Sequence, residues 1–232
     1  MEGTEALSQP FAKTPRNRVR RHPERGRYDP AEIYPIVDAA LVCHVGFILD
    51  EQPYVIPTLH ARQGDTILLH GAKASRLLRH VEAGGAVCIT VTLVDGIVLA
   101  RSVFNHSINY RSALLFGRGV PIVDDEARMQ ALEAFTERLL PGRWRDVRPP
   151  SVVELKQTSI VAVAIESASA KARSGPPKDN EDDLALPVWA GVLPLRQVAE
   201  APIADPRLAD GIALPDYIAT YAEGDRGKMP PE

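Results

Sequence analysis

Cysteine, aromatic residues and long apolar runs are all scarce in this chain, and each scarcity removes a class of function. Only two cysteines occur in 232 residues. Cys43 and Cys88 both fall in apolar stretches, and neither has a CxxC partner or a zinc-like spacing. They read as buried thiols; a bond between them stays open, although nothing points to an oxidising compartment. No stretch is apolar and long enough for a signal peptide or a membrane span, so a soluble cytoplasmic protein without a membrane partner is expected. The histidines lack the HxH and HExxH spacings that bring ligands onto one face, so no protein-held metal ion is expected. The formal charge of −3 gives no global reason to expect nucleic acid.

Charge is concentrated locally instead. Lys13, Arg16, Arg18, Arg20, Arg21, Arg25 and Arg27 crowd the first part of the chain. The reading is a flexible basic arm over residues 1–24, either free or wrapped on a partner subunit, with contact to nucleic acid as the less favoured alternative. Polar, acidic, proline-containing residues 171–185 read as a mobile loop, and 186–232 as a C-terminal segment packing on the body. In that segment Pro202, Pro206 and Pro215 argue against a long helix, while Tyr217 and Tyr221 are candidate anchors.

Between these ends the pattern is mainly β. Apolar or alternating runs at Ala39 to Leu49, Pro53 to Arg62 and Thr66 to His70, separated by Asp50-Glu51-Gln52 and Gln63-Gly64-Asp65, read as an antiparallel meander. Ala86 to Val94 is a β-branched strand that Asp95-Gly96 joins to Ile97 to Phe104 as a tight hairpin. Leu114 to Val123 and Ser159 to Ser167 are further strands. Asp124 and Asp125 offer an N-cap to a helix whose face is Ala131, Leu132, Phe135 and Leu139, ending before Pro141-Gly142. Six or seven antiparallel strands with inserted helices suggest a barrel or sandwich.

The segment LLHGAKASRLLRHVEAGG, Leu68 to Gly85, carries the clearest chemistry. A strand ends at His70, Gly71 allows a turn, and a helix over Lys73 to Ala83 starts with Lys73, Arg76 and Arg79 and no acid before Glu82. Cations at the positive end of the backbone dipole call for an anion to offset them. Free N–H groups, the Ser75 hydroxyl and two or three cations would cradle a phosphate. A solvated basic helix face is the alternative.

Together PYVIPTLHAR (53–62), LLHGAKASR (68–76), NYRSALLFGRG (109–119) and LPVWAGVLPL (186–195) resemble the flavin-nucleotide-binding branch of the pyridoxamine 5′-phosphate oxidase-like family, over about Arg25 to Leu195. The resemblance implies a split β-barrel (mainly β, α+β) spanning residues 25–170. It implies FMN bound between two subunits of a homodimer and a flavin-dependent oxidoreductase acting on a small molecule with NAD(P)H-derived electrons. A carrier of flavin, haem or deazaflavin F420 is the alternative, with FAD in place of FMN also open. By resemblance the strand Tyr54 to Thr58, with Val55, Ile56, Pro57 and Thr58 as its contacts, runs along the flavin ring, Gly71 and Ala72 let the chain pass close to the phosphate, and Lys73, Ser75 and Arg76 hold it. Asn109, Tyr110, Arg111 and Ser112 then lie where two subunits meet, and Trp189 either covers the site or fills a core. His70 is the one catalytic candidate: it contacts the flavin edge, as in nitroimidazole-reductase relatives, or merely caps the turn. Haem-binding relatives exist, but no histidine stands out from sequence as an axial ligand. The Arg-rich C-terminal segment with which the true oxidases hold substrate is not recognisable after Trp189, which argues against vitamin B6 oxidation.

Overall fold

A computed structural model describes residues 9–223; residues 1–8 of the expected arm and 224–232 of the C-terminal segment lie outside the described residues. The short β1 (Gly26–Arg27) leads into α1 (Pro30–Ala39), where Asp29 caps the Ala31 N–H and Pro30 takes a first-turn position that needs no donor. This helix consumes residues up to Ala39, which the sequence reading gave to a strand, so β2 (Val42–Leu49) starts later. It turns into β3 (Gln52–Leu59) through Asp50 and Glu51, both at positive φ (50° and 60°), as a two-residue hairpin requires. Next come β4 (Ala61–Gln63), β5 (Thr66–Ala72), α2 (Arg76–Glu82) and the long β6 (Ala86–Leu99) and β7 (Ser107–Pro121). After α3 (Asp125–Leu139) and α4 (Val152–Gln157) follow β8 (Thr158–Ala164), β9 (Ser167–Arg173), β10 (Gly191–Pro194) and α5 (Asp216–Glu223). None of these helices is long and apolar enough to cross a membrane.

The strands run antiparallel in the order β3-β2-β6-β7-β8-β5-β4, with β9 and β10 added along β7 and β6, and make a split barrel with flanking helices. Alternate residues point inward: Cys43, Val45 and Phe47 from β2, Ile67 and Leu69 from β5, Ile89 and Val91 from β6, and Leu115 from β7. Ile33 and Val37 of α1 and Leu77, Leu78 and Val81 of α2 close this core. Each such side chain contributes roughly 1.5–3 kcal/mol when fully buried. Both cysteines are free thiols, and burial pushes that of Cys43 up to about 12. On the opposite face of β5, Leu68 packs with Ile160 under Ala131 and Phe135 of α3, forming a second, smaller cluster.

Several expectations are corrected. Asp95-Gly96 is not a hairpin but a bulge inside β6, where the register shifts between Val94 and Gly96. The glycine is needed because a Cβ there would lie 3.0 Å from Val192 Cγ1 and 3.1 Å from the Leu193 carbonyl of the added strand β10. The real turn between β6 and β7 is at residues 100–106, so residues 107–112 belong to β7. Among the described residues ten strands form, because the short β1, β9 and β10 extend the sheet beyond the six or seven read from sequence.

The arm is not free over residues 9–24. Asn17, 3% exposed, donates from Nδ2 to the carbonyls of Ala12 and Ala168 (3.0 Å each), pinning it to β9. The acidic loop is likewise tied down: residues 171–173 complete β9, and Asp179 accepts from the Arg101 N–H and guanidinium, each at 2.8 Å. Tyr217 anchors the tail as expected. Its hydroxyl donates to Asp146 (2.6 Å) and accepts from Arg143 (3.1 Å).

Candidate functional site

The strand-to-helix turn after β5 lies two residues later than the sequence implies. Lys73 N–H still bonds the Gln157 carbonyl (3.3 Å), so the strand ladder extends past His70 and the turn falls at Lys73-Ala74. The helix begins at Arg76, with the Ser75 hydroxyl accepting from Leu78 N–H (3.4 Å) as its N-cap. Gly71 sits inside β5, where a Cβ would come within 3.2 Å of Leu78 Cδ1; its small size serves helix packing rather than a turn. Arg79 folds back onto the Ala74 carbonyl (2.6 Å). Lys73 and Arg76 are both exposed, and neither pairs with a carboxylate among the described residues. No acid lies in the first turn of α2. Two uncompensated cations at a strand-to-helix turn fit an anionic phosphate.

Arg76 is oriented by β3. Its guanidinium carbon lies 4.3 Å from the centroid of the Tyr54 ring, which stacks on Phe47 (5.4 Å), which in turn meets His80 of α2 (4.9 Å). The contact brings β3 and the phosphate turn into one site. Along β3 the side chains alternate: Tyr54 and Ile56 pack toward the core, whereas Val55, 66% exposed, and Pro57 face out. β3 ends the strand path, so its second backbone edge bonds no other strand among the described residues. That edge can offer N–H and C=O groups to a planar polar ligand. Sequence places Tyr54 at the start of the strand expected along the flavin, but not its contact with Arg76, which joins segments more than twenty residues apart.

His70 lies on the other face of β5, beside α3. Its ring centroid is 4.2 Å from that of Phe135, its Nδ1 is buried without a partner, and it makes no hydrogen bond. Burial lowers its pKa from the ordinary imidazole value, so the ring is neutral at pH 7. Four of the other histidines are engaged. His60 Nε2 is 3.0 Å from the Val37 carbonyl, His80 Nε2 3.1 Å from that of Ala86, His106 Nδ1 2.8 Å from that of Ser102, and His22 Nδ1 3.3 Å from Glu24. His44 is exposed on the outer face of β2. A half-buried, neutral imidazole with no hydrogen bond is the state suited to a metal centre supplied by a prosthetic group. Sequence named His70 as a flavin-edge candidate but not as a metal ligand, since the Phe135 contact spans distant segments.

The polar start of β7 is occupied within its own chain. Asn109 is buried; its amide oxygen accepts from Arg173 and its Nδ2 donates to the Gly175 carbonyl (3.2 Å). Arg111 makes a two-pronged ion pair with Asp95 (2.7 and 3.0 Å), and the Ser112 hydroxyl donates to the Lys171 carbonyl (3.2 Å). Tyr110 is partly exposed. Trp189 is 68% exposed, its ring lying against Gly191, where a Cβ would be 2.8 Å from Cη2. It fills no core within the single chain. Beside this strand Val103 and Phe104 are 91% and 94% exposed.

The family profile described as pyridoxamine 5′-phosphate oxidase matches residues 29–172. The chain belongs to this family. Among curated proteins none matches. Of solved structures, the flavocytochrome Anf3 from Azotobacter vinelandii is 38% identical with a TM-score of 0.86, covering 91% of this chain and 99% of that one. The FAD- and haem-binding protein from Mycobacterium smegmatis is 36% identical with a TM-score of 0.78, covering 82% and 93%. A putative 5-nitroimidazole antibiotic resistance protein from Bacteroides thetaiotaomicron is 25% identical with a TM-score of 0.52, covering 62% and 83%. The likeness to the first two structures covers more of the chain than the family segment does.

Proposed function

We propose that this protein is a flavin-binding redox protein that also holds a haem, with His70 as the iron ligand. The observation that carries the reading is the His70 imidazole: neutral, half-buried, with Nδ1 desolvated and no hydrogen bond. Nδ1 is closed off from solvent, which leaves Nε2 as the ring nitrogen that an iron would take. The likeness to a flavocytochrome and to an FAD- and haem-binding protein, each above 35% identity, supports the same reading.

The flavin is assigned to the edge of β3 and the turn after β5. Lys73 and Arg76 would hold phosphate, Ser75 would donate from its hydroxyl while still capping α2, and the backbone of Val55 to Thr58 would meet the polar edge of the ring. FMN satisfies this cradle, and so does FAD, which the second relative binds. When bound, the flavin supplies hydride and single-electron chemistry and the haem single-electron chemistry. The chain's part is to fix both and to keep His70 unprotonated. We further propose a homodimer, supported by the exposed Val103, Phe104, Val55 and Trp189, which leave apolar surface that a second copy would cover.

The test is spectroscopic. Protein purified from haem-replete cells should show flavin and Soret bands together, and NADPH added without oxygen should bleach the flavin. A colourless protein, or one with neither band after reconstitution, would overturn the reading. Flavin that no nicotinamide reduces would leave binding intact and remove the reductase activity.

A further inference from the structure

The basic arm makes a second site that the flavin and haem reading does not use. Thr14, Pro15, Arg16 and Asn17 form a turn: Asn17 Oδ1 accepts from the Thr14 N–H (2.7 Å) and hydroxyl (3.1 Å), and Arg18 N–H bonds the Thr14 carbonyl (3.0 Å). Buried Asn17 fixes this turn to β9 at Ala168, and Val19 N–H donates to the Tyr28 hydroxyl (2.9 Å). Between turn and β1 the chain lines an open cavity of about 380 Å³. That volume belongs to the range of small organic ligands rather than of a lone ion.

The charges of the arm divide in two. Arg16 pairs with Glu166 (3.3 Å), Arg25 with Glu24 (3.7 Å) and Arg27 with Glu32 (2.9 Å). Lys13, Arg18 and Arg20 line the cavity instead, and among the described residues no carboxylate pairs with them or lines it. Lys13 Nζ is 4.9 Å from the centroid of the Tyr28 ring. All three are exposed at the mouth of one cavity, and like charges so gathered favour an anion between them. Pro15, Val19 and Pro23 add an apolar wall, and Tyr28 lines an adjoining pocket that shares Lys13, Arg18, Val19 and Pro23.

We propose that this cavity binds the diphosphate part of a nucleotide, with Lys13, Arg18 and Arg20 on the phosphates and the apolar wall against the nucleoside. The site shares no residue with the turn after β5. The test is calorimetric titration of the full-length protein, with its own cofactors bound, with ADP. ADP should bind once per chain, more weakly as salt rises, and at least about tenfold more tightly than adenosine or inorganic phosphate. Arg18→Ala and Arg20→Ala should each weaken ADP about tenfold, whereas Arg21→Ala, just outside the cavity, should leave it unchanged. Far-UV circular dichroism checks that the variants are folded. Absence of ADP binding, ADP affinity unaltered in the Arg18→Ala/Arg20→Ala double variant, or phosphate binding as tightly as ADP would each overturn the proposal.

Discussion

Arg76 lies with its guanidinium 4.3 Å from the centre of the Tyr54 ring, joining the first residue of α2 to the edge strand β3. A guanidinium so placed keeps its N–H edge free for an anion while its face is held by the ring. Tyr54→Leu should therefore weaken flavin binding about fivefold through loss of positioning, and Tyr54→Phe should restore it, because the hydroxyl takes no part in the contact. Fluorescence titration of flavin into apoprotein measures both. Equal loss in the two variants would contradict the stacking role.

The two cations of the turn should act together. Lys73→Ala and Arg76→Ala are expected to reduce flavin affinity about tenfold each and about a hundredfold combined, with little change in thermal stability because both side chains are exposed. Unchanged affinity in the double variant would remove the phosphate from this turn.

The barrel was legible in the sequence wherever one face of a strand is buried. Alternation in β2, the apolar run of β5, the Asp124 cap of α3 and the stop before Gly142 all appear as read. What escaped depended on contacts between distant segments. Asp95-Gly96 has the composition of a hairpin, but β10 packs against Gly96 and Arg111 engages Asp95, so a continuous strand with a bulge wins. The arm reads as soluble charge, yet one buried asparagine fixes it to β9. At the site, the Lys73 and Arg76 pair was visible from local charge and His70 from its place at the strand end, whereas the case for His70 as a metal ligand came from Phe135, sixty-five residues away by number, and from the hydrogen bonds that engage most of the other histidines.

Phe104 is 94% exposed in the single chain. Placed in a twofold interface it would act as an apolar anchor worth about 2 kcal/mol, roughly thirtyfold in dimer dissociation. Phe104→Glu should release monomer in sedimentation at low micromolar protein. A wild-type monomer, or a variant that dimerises equally well, would contradict the dimer.

His60 gives the fold a pH dependence. It is 2% exposed, and burial, with Arg138 nearby, lowers its pKa below the ordinary 6.5 despite the Val37 carbonyl and Asp38. The Nε2–H tautomer can donate to Val37, and protonating Nδ1 would leave a buried N–H without an acceptor. Above pH 6.5 both folded and unfolded chains carry it neutral and its contribution is complete. As pH falls below 6.5 the unfolded chain takes up the proton first, so stability drops until the folded pKa is passed. Urea midpoints at pH 8 and pH 5 should differ less in His60→Gln than in wild type; an identical difference would contradict this.

The absorbance spectrum of His70→Ala beside wild type, both purified from haem-replete cells, tests the central claim most directly. The account predicts flavin bands in both proteins and a Soret band in wild type alone. A variant that keeps the wild-type Soret band would show that His70 does not hold the iron.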